Sequence, residues 1–225
     1  MAIKPLISVL LLTTPLLAQA ITFQTRLEDV QWQVAGDRFE CRLTQAVKDF
    51  GGGSFVRRAG EKPVFYLQAQ EAWLKPGHAL LYAAAAPWDS VESDVRLGTA
   101  KVAANERAVV SDQVQAGRLL TGLLEGRAPT VRHQTVQGDP IEVRILPANF
   151  AKAYQDYLVC TSKLLPVNYE QIKQTNVGFE SGGYELDEKA RKHLDVLLEY
   201  MAEDSSVNRI YLDGHSDNTG DRLLN

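Results

Sequence analysis

Ser54 to Gln68 reads SFVRRAGEKPVFYLQ, in which two short runs of mixed apolar and polar residues flank a turn that contains Gly60. Alternation of apolar and polar residues is typical of strands that bury one face of a sheet. Further runs of this kind stand at 21–37 (ITFQTRLEDVQWQVAGD), 78–89 (HALLYAAAAPWD) and 140–146 (PIEVRIL). Together these runs predict a β-rich, antiparallel domain.

Two helices are predicted among and after these strands. Between Asp112 and Glu125 the apolar residues recur at helical spacing, and Gly126 just beyond is a typical stop signal. These apolar positions are Val114, Leu119, Leu120, Leu123 and Leu124. A second helix is predicted from Ala148 to Val159. The run 51–54 (GGGS) lacks the spacing of a phosphate-binding loop and is interpreted as a hairpin connection.

The sequence contains two cysteines, Cys41 in the second predicted strand and Cys160 at the end of the second predicted helix. In an exported chain, which passes through an oxidising compartment, such a pair commonly forms a bridge. We therefore expect a disulfide between them, with two separately buried thiols as the alternative. The bridge would tie the beginning of residues 21–160 to their end, which favours one closed domain.

The amino terminus predicts export. Lys4 precedes an apolar stretch from Leu6 to Leu17, and the small residues Ala18 and Ala20 follow it. This arrangement is typical of a secretory signal peptide, assigned to residues 1–20, and it is too short for a transmembrane helix. Ile21 stands where a lipoprotein would carry a cysteine, so we expect no lipid anchor.

Charge and motif content exclude several functional classes. The chain has 24 basic and 28 acidic residues and a net charge of −4, which argues against nucleic acid as a partner. We find no nucleophile paired with a base, no carboxylate pair and no cofactor motif. The sequence therefore predicts a protein that is not an enzyme and needs no cofactor.

The last part of the chain has a different pattern. Residues 161–168 (TSKLLPVN) contain a proline and no periodicity, and they are predicted to be a linker. Residues 169–225 then predict a strand at 175–179, a turn at 180–183, a helix from Asp187 to about Ala202 and a strand at 209–213. The helix has an apolar stripe of Ala190, Leu194, Leu197, Leu198 and Met201. A loop at 214–220 follows.

The segment Ile210 to Gly220, IYLDGHSDNTG, makes this region specific. It resembles the ligand-binding segment of OmpA-like peptidoglycan-binding domains, with Ser216 where threonine is usual. The resemblance implies that the Asp217 carboxylate accepts a hydrogen bond from the ammonium of a diaminopimelate stem peptide. Ser216, His215 and the helix start at Asn225 would complete the binding site. The arginine of that family lies further on, so we expect the OmpA-like domain to be incomplete at Asn225.

Two alternatives compete for this loop. The glycines and Asn218 could form a turn that Asp217 caps. Asp213, His215 and Asp217 would share a face in an extended chain and could suggest a metal site. A calcium loop starting at Asp213 fails, since it puts Asn218 where glycine is needed and Leu224 where glutamate belongs. We therefore expect no metal.

Over nearly the full chain, including 32–55 (WQVAGDRFECRLTQAVKDFGGGSF), the sequence resembles the MotY-like family of flagellar motor proteins. The resemblance implies an α+β protein whose β-rich domain, residues 21–160, docks on the flagellar basal body beside another periplasmic ring protein. The carboxy-terminal domain would fix that ring to peptidoglycan and so support the stator units. The implied location is the periplasm, between cell wall and outer membrane. The 32–55 region is expected to contribute to docking, although its aromatic residues could equally be core. The alternatives are a generic envelope-stabilising wall binder and, more remotely, a cell-wall hydrolase.

Overall fold

The computed structural model describes residues 20–86, 91–103, 108–180 and 183–215. Within these ranges the strands and two α-helices lie between residues 21 and 161, and the later residues are helical or irregular. The strands are β1 (Ile21–Phe23), β2 (Trp32–Gly36), β3 (Glu40–Val47), β4 (Gly51–Arg58), β5 (Val64–Ala69), β6 (His78–Ala84), β7 (Val95–Val102), β8 (Ala108–Val110), β9 (Ala128–Gln134) and β10 (Pro140–Arg144). The helices are α1 (Gln113–Leu124), α2 (Phe150–Thr161), α3 (Tyr169–Ile172) and α4 (Glu188–Glu203).

All ten described strands belong to one sheet, in the order β1-β10-β9-β6-β7-β8-β5-β4-β3-β2. Neighbouring strands are antiparallel, as the sequence predicts, except that β1 and β10 are parallel. The exception is possible because nearly the whole domain separates these two strands along the chain, and a parallel pair needs a long connection. The sheet and its helices confirm the β-rich α+β class.

One face of the sheet forms the core. Along β3 every second residue points inward, and Cys41, Leu43, Gln45 and Val47 are each at most 1% exposed. Helices α1 and α2 cover this face. Helix α1 packs against β5, β6, β7 and β9, and helix α2 packs against β2 and β3. The period-two pattern of the sequence thus selects the buried face.

The sheet curls until its two ends meet. Gln45 lies on β3, near one end, and its side-chain amide makes both possible bonds to the backbone of Leu146, which follows β10 at the other end. Its Nε2 donates to the Leu146 carbonyl at 2.7 Å, and its Oε1 accepts from the Leu146 N–H at 2.9 Å. The side chain replaces one rung of backbone pairing at a place where the two strands are not neighbours in the sheet.

Apolar contacts accompany this closure. The Phe23 ring of β1 lies 5.3 Å from the Phe50 ring beside β4. Gly53 lies within β4, so the prediction of a hairpin connection at 51–54 is wrong. A Cβ at Gly53 would stand 2.7 Å from Ile145 Cδ1, which means that the opposite end of the sheet packs directly on the backbone of β4. Glycine is required there by this close approach.

Helix α1 confirms the helix predicted between Asp112 and Glu125. The Asp112 carboxylate accepts the Gln115 N–H at 2.7 Å, and Gln115 Oε1 accepts the Asp112 N–H at 3.0 Å, which completes a capping box. Gln115 Nε2 also donates to the Thr99 carbonyl at 3.0 Å in β7, near the β-bulge between β6 and β7. One side chain therefore both caps α1 and attaches it to the sheet.

The second predicted helix forms two residues later than expected, as α2. Asn149 adopts a left-handed conformation with φ of 60°, so the helix begins at Phe150. The expected disulfide joins Cys41 of β3 to Cys160 of α2, across 119 residues of sequence. On the chain-entropy account a loop of this length stabilises the fold by about 4 to 5 kcal/mol.

Residues 161–168, predicted to be a linker, lie against the β domain. Thr161 is the last residue of α2, and Leu165 is 2% exposed with its N–H donating to the Arg38 carbonyl at 2.9 Å. Asn168 caps α3 and donates its side-chain amide to the Ala59 carbonyl at 3.0 Å. The absence of periodicity in this segment reflects its irregular path beside the turns that join β2 to β3 and β4 to β5.

Replacing Gln45 by methionine is expected to lower the free energy of unfolding by about 2 to 6 kcal/mol. Methionine keeps the volume but leaves the Leu146 N–H and carbonyl without partners, at about 1 to 3 kcal/mol for each such group. Urea unfolding followed by circular dichroism measures the loss. Gln68→Met, at an exposed position of the central strand β5, is the matched control. Equal losses in the two variants would show that the amide does not hold the ends together.

Candidate functional site

The predicted peptidoglycan-binding residues lie mainly beyond what the structure describes. Ser216, Asp217 and Asn225 fall outside the described residues, and so do Gly220 and Asn218 of the same loop. His215 is described, and it is exposed in an irregular segment. The structure therefore does not bring these residues together, and their roles stay predictions.

The helix that precedes the loop is present as α4. Asp187 caps it, with its carboxylate accepting the Ala190 N–H at 2.6 Å, as the sequence predicts. The buried face differs from the predicted stripe, however. Leu198 is 59% exposed, whereas Tyr200, which lies outside the stripe, is 5% exposed.

Tyr200 packs α4 against the β domain. Its ring lies 5.5 Å from the Phe39 ring at an edge-to-face angle of 71°. The small apolar cluster around it contains Ala59, Leu165 and Ile172 in the interior and Phe39, Val167, Leu197 and Val207 at its border. Aromatic pairs of this geometry add to the stabilisation from buried area. Sequence periodicity did not point to this contact, because it depends on residues about 160 positions apart.

Ion pairs flank this cluster. Arg38, just before β3, donates to Glu199 at 2.8 Å and also binds Glu203, one turn further along α4. All three side chains are more than a third exposed, so each pair contributes at most about 1 kcal/mol. Their geometry still orients the helix, because two carboxylates on one face of α4 share a single guanidinium.

Tyr200 is also bonded within the carboxy-terminal segment. Its hydroxyl donates to Asp204 at 3.0 Å. Burial, together with this hydrogen bond, raises the pKa of Tyr200. The pKa of Asp204 is lowered, mainly by the hydrogen bond from the Ser206 hydroxyl at 2.6 Å. Hydrogen bonds to Asp204 from Tyr200, within α4, and from Ser206, beyond it, thus fix the carboxy-terminal end of the helix.

The strands predicted at 175–179 and 209–213 do not form in this structure. Both segments are irregular, and Ile210, Tyr211 and Leu212 are 48%, 80% and 91% exposed. A strand needs a hydrogen-bonded neighbour, and within the described residues neither segment pairs with another. Of the predicted β-α-β unit, the described structure contains the helix. The OmpA-like assignment of 169–225 stays a prediction.

The aromatic residues of the 32–55 region pack against other side chains of the same chain. Phe50 and Phe55 are fully buried, and Trp32 packs edge-to-face on Phe150 of α2 with ring centroids 5.0 Å apart. Phe39 binds Tyr200, as described above. These contacts support the alternative interpretation, that the aromatics belong to the core, and docking by this region stays a prediction.

A cluster of charges braces the outer face of β9 and β10. Arg132 donates to Asp94 at 2.6 Å and to Glu142, and its guanidinium lies 4.6 Å from the centre of the Tyr82 ring. Burial raises the pKa of Glu142, but hydrogen bonds from Arg132 and Arg144 outweigh it and hold the pKa below its usual range. Because the charges satisfy one another, the cluster links β9 and β10 to the segment before β7.

The described ranges contain neither a cluster of metal-binding side chains nor a membrane-spanning helix. No group of three or more histidine, cysteine, aspartate or glutamate side chains that could hold a metal ion occurs there. No helix within the same ranges is long and apolar enough to cross a bilayer.

Comparison with known proteins identifies the β domain. A sequence profile described as the MotY N-terminal domain matches residues 23–166, which is more than half of the chain. The chain belongs to the MotY N-terminal domain family. The matched residues include both cysteines and end at Pro166, so the family domain contains the curled sheet, α1 and α2.

A relative extends the similarity beyond this MotY domain. The chain is 26% identical over 194 residues to the sodium-type flagellar protein MotY of Vibrio parahaemolyticus. The match covers 84% of this chain and 66% of that protein. It therefore continues past the residues that the family profile matches, while the relative is longer than the part shared.

Replacing Tyr200 by alanine is expected to release α4 from the MotY domain. Removing a buried aromatic side chain forfeits about 1.5 to 3 kcal/mol, so the α4 amides should exchange with deuterium about ten to a hundred times faster. The amides of β3 and β4 should keep their rates. Leu198→Ala, on the exposed side of the same helix, is the control. Similar acceleration in both variants would contradict the contact described here.

Proposed function

We propose that this chain is a structural, non-enzymatic part of the flagellar motor that connects the basal body to the cell wall. The observation that carries the proposal is the family match over 23–166, together with the similarity to a sodium-type flagellar protein. In this proposal the MotY domain docks on the basal body beside another periplasmic ring protein. Residues 169–225 bind peptidoglycan, and the chain acts in the periplasm after removal of residues 1–20.

Wall binding is assigned to the loop after α4. A diaminopimelate stem peptide ends in an ammonium and a carboxylate, so its binder needs an anion beside hydrogen-bond donors. Asp217 supplies the anion, and Ser216, His215 and the backbone at Asn225 supply donors. The exposure of His215, at the entrance to this loop, supports access by a polymer that cannot enter a closed pocket.

The docking of α4 supports a mechanical role. A motor component that resists torque must transmit force from its docking domain to its anchor. Tyr200 and the Arg38 pairs attach the helix before the loop directly to the MotY domain. A connection of this kind transmits load with less slack than a flexible linker would.

Asp217→Ala is expected to weaken wall binding about ten- to a hundredfold, since a charge-assisted hydrogen bond contributes about 1.5 to 3 kcal/mol. The measurement is cosedimentation of the full-length protein with purified sacculi at increasing protein concentration. Asp195→Ala removes an exposed carboxylate from α4 and is the matched control. Unchanged binding by the Asp217 variant would remove Asp217 from the site, and release of soluble muropeptides would favour the hydrolase alternative.

Motility separates a motor component from a general envelope protein. Deleting the gene should abolish or strongly reduce swimming while flagella are still assembled, because stators lose their support. Expression of the wild-type chain should restore swimming, which is scored by tracking cells in liquid. Normal swimming combined with increased sensitivity to detergent would show that the chain stabilises the envelope instead.

A further inference from the structure

A groove runs along the outer side of α1, on the MotY domain. It has a volume of about 520 Å³ and separates α1 from the ends of β6 and β7. Its floor and walls include Gly117, Thr121 and Gly122 of α1, Ala83 of β6, and Val95 and Leu97 of β7. The residues that line the groove lie between Lys62 and Arg127, far from the Asp217 loop in sequence.

Gly117 has no structural reason to be glycine within the described residues. A Cβ built there meets no atom within 4 Å, whereas one at Gly122 would lie 3.2 Å from the Ala83 Cβ. Gly122 is therefore explained by packing on β6. Glycine within a helix lowers the helix equilibrium about four- to fivefold relative to alanine. Gly117 therefore lowers the stability of α1 without any packing reason among the described residues. The space above it is free for a molecule outside the described chain.

The groove also exposes apolar side chains. Val114, at the start of α1, is 73% exposed, and Val95, at the start of β7, is 37% exposed. Both side chains line the same groove as Gly117. A ligand lying in the groove would cover both, which favours an apolar group at its centre.

The charge of the rim is positive although the chain is acidic overall. Lys62 and Arg118 line the groove and are exposed. Within the described part of the chain neither takes part in an ion pair, whereas Arg127 binds Glu92. Glu125 is the one acidic residue among those that line the groove. Unpaired cations around an apolar centre favour a ligand that carries carboxylates.

We propose that this groove binds an extended, acidic segment of a partner protein. The backbone of that segment passes over Gly117, where any side chain would block it. An apolar side chain of the segment lies between Val95 and Val114, and carboxylates on either side of it bind Lys62 and Arg118. This mode gives specificity through one central apolar contact and two flanking charges.

The test uses a fluorescein-labelled peptide of about eight residues with alternating glutamate and valine, which spans about 26 Å when extended. Fluorescence anisotropy with the purified protein is expected to show saturable binding that weakens as salt rises. A matched peptide with lysine in place of glutamate should not bind. Equal binding of both peptides, or no saturable binding of the acidic one, would overturn the proposal.

Variants place the peptide in the groove. Gly117→Leu fills the space above α1, Arg118→Glu reverses one charge of the rim, and each should weaken binding about tenfold or more. Ala151→Leu and Lys152→Glu, at exposed positions of α2, are the matched controls and should change binding less than about twofold. If the melting curve shows that Gly117→Leu unfolds the protein, the proposal is tested by comparing peptide binding of Arg118→Glu with that of Lys152→Glu.

Gly117→Ala separates the groove from helix stability. Alanine stabilises α1 and adds only one methyl group, so the melting temperature should rise while peptide binding falls less than with leucine. Vesicles of anionic phospholipid are the last comparison. Binding to these vesicles that Arg118→Glu abolishes, without binding of the acidic peptide, would show a lipid site and reject the peptide proposal.

Discussion

The fold depends on the side-chain amide of Gln45, which closes the sheet on itself. A twisted sheet of ten strands tends to curl, but its ends can pair through backbone bonds only if the registers match. Here they are joined by one fully buried side chain that donates to and accepts from Leu146. The core is enclosed as a consequence, with Ile145 packed on the backbone of Gly53 and Phe23 on Phe50.

Local pattern predicted most of the MotY domain and little of its closure. The alternation along β3 and the capping signals of α1 act over a few residues, so they are visible in the sequence. The hydrogen bonds between Gln45 and Leu146 join residues 101 positions apart. The residues next to Gln45 in the sequence do not indicate that its side chain is buried or which group it binds. The glycines of β4 were misinterpreted for the same reason, because the side chain that requires Gly53 is Ile145.

In the carboxy-terminal region a sequence motif was the main guide, and helix packing was harder to predict. The Asp217 loop was predicted from a motif, and its helix was correctly placed, but the face of α4 that packs was not. Successive helical residues are about 100° apart, so Tyr200 lies about a third of a turn from Leu194 and Met201. The contact with Phe39 therefore lies at the border of the predicted stripe: Leu197 of the stripe packs beside Tyr200, whereas Leu198 is exposed. One helix can accordingly serve the MotY domain on one side and the proposed wall-binding module on the other.

The positions of the two ties to β3 also set an order of assembly. The hydrogen bonds of Gln45 need Leu146, and the disulfide of Cys41 needs Cys160. Neither can form until its partner has been synthesised, and both partners lie in the second half of the sequence. Hairpins among β2 to β5 can form early, but the enclosed core appears only after α2 arrives, and such long-range closure is slow. Cys41 is the first cysteine of the sequence, and Cys160 lies 119 positions further along the chain. Because of this spacing, both links to β3 can form only after most of the MotY domain has been synthesised.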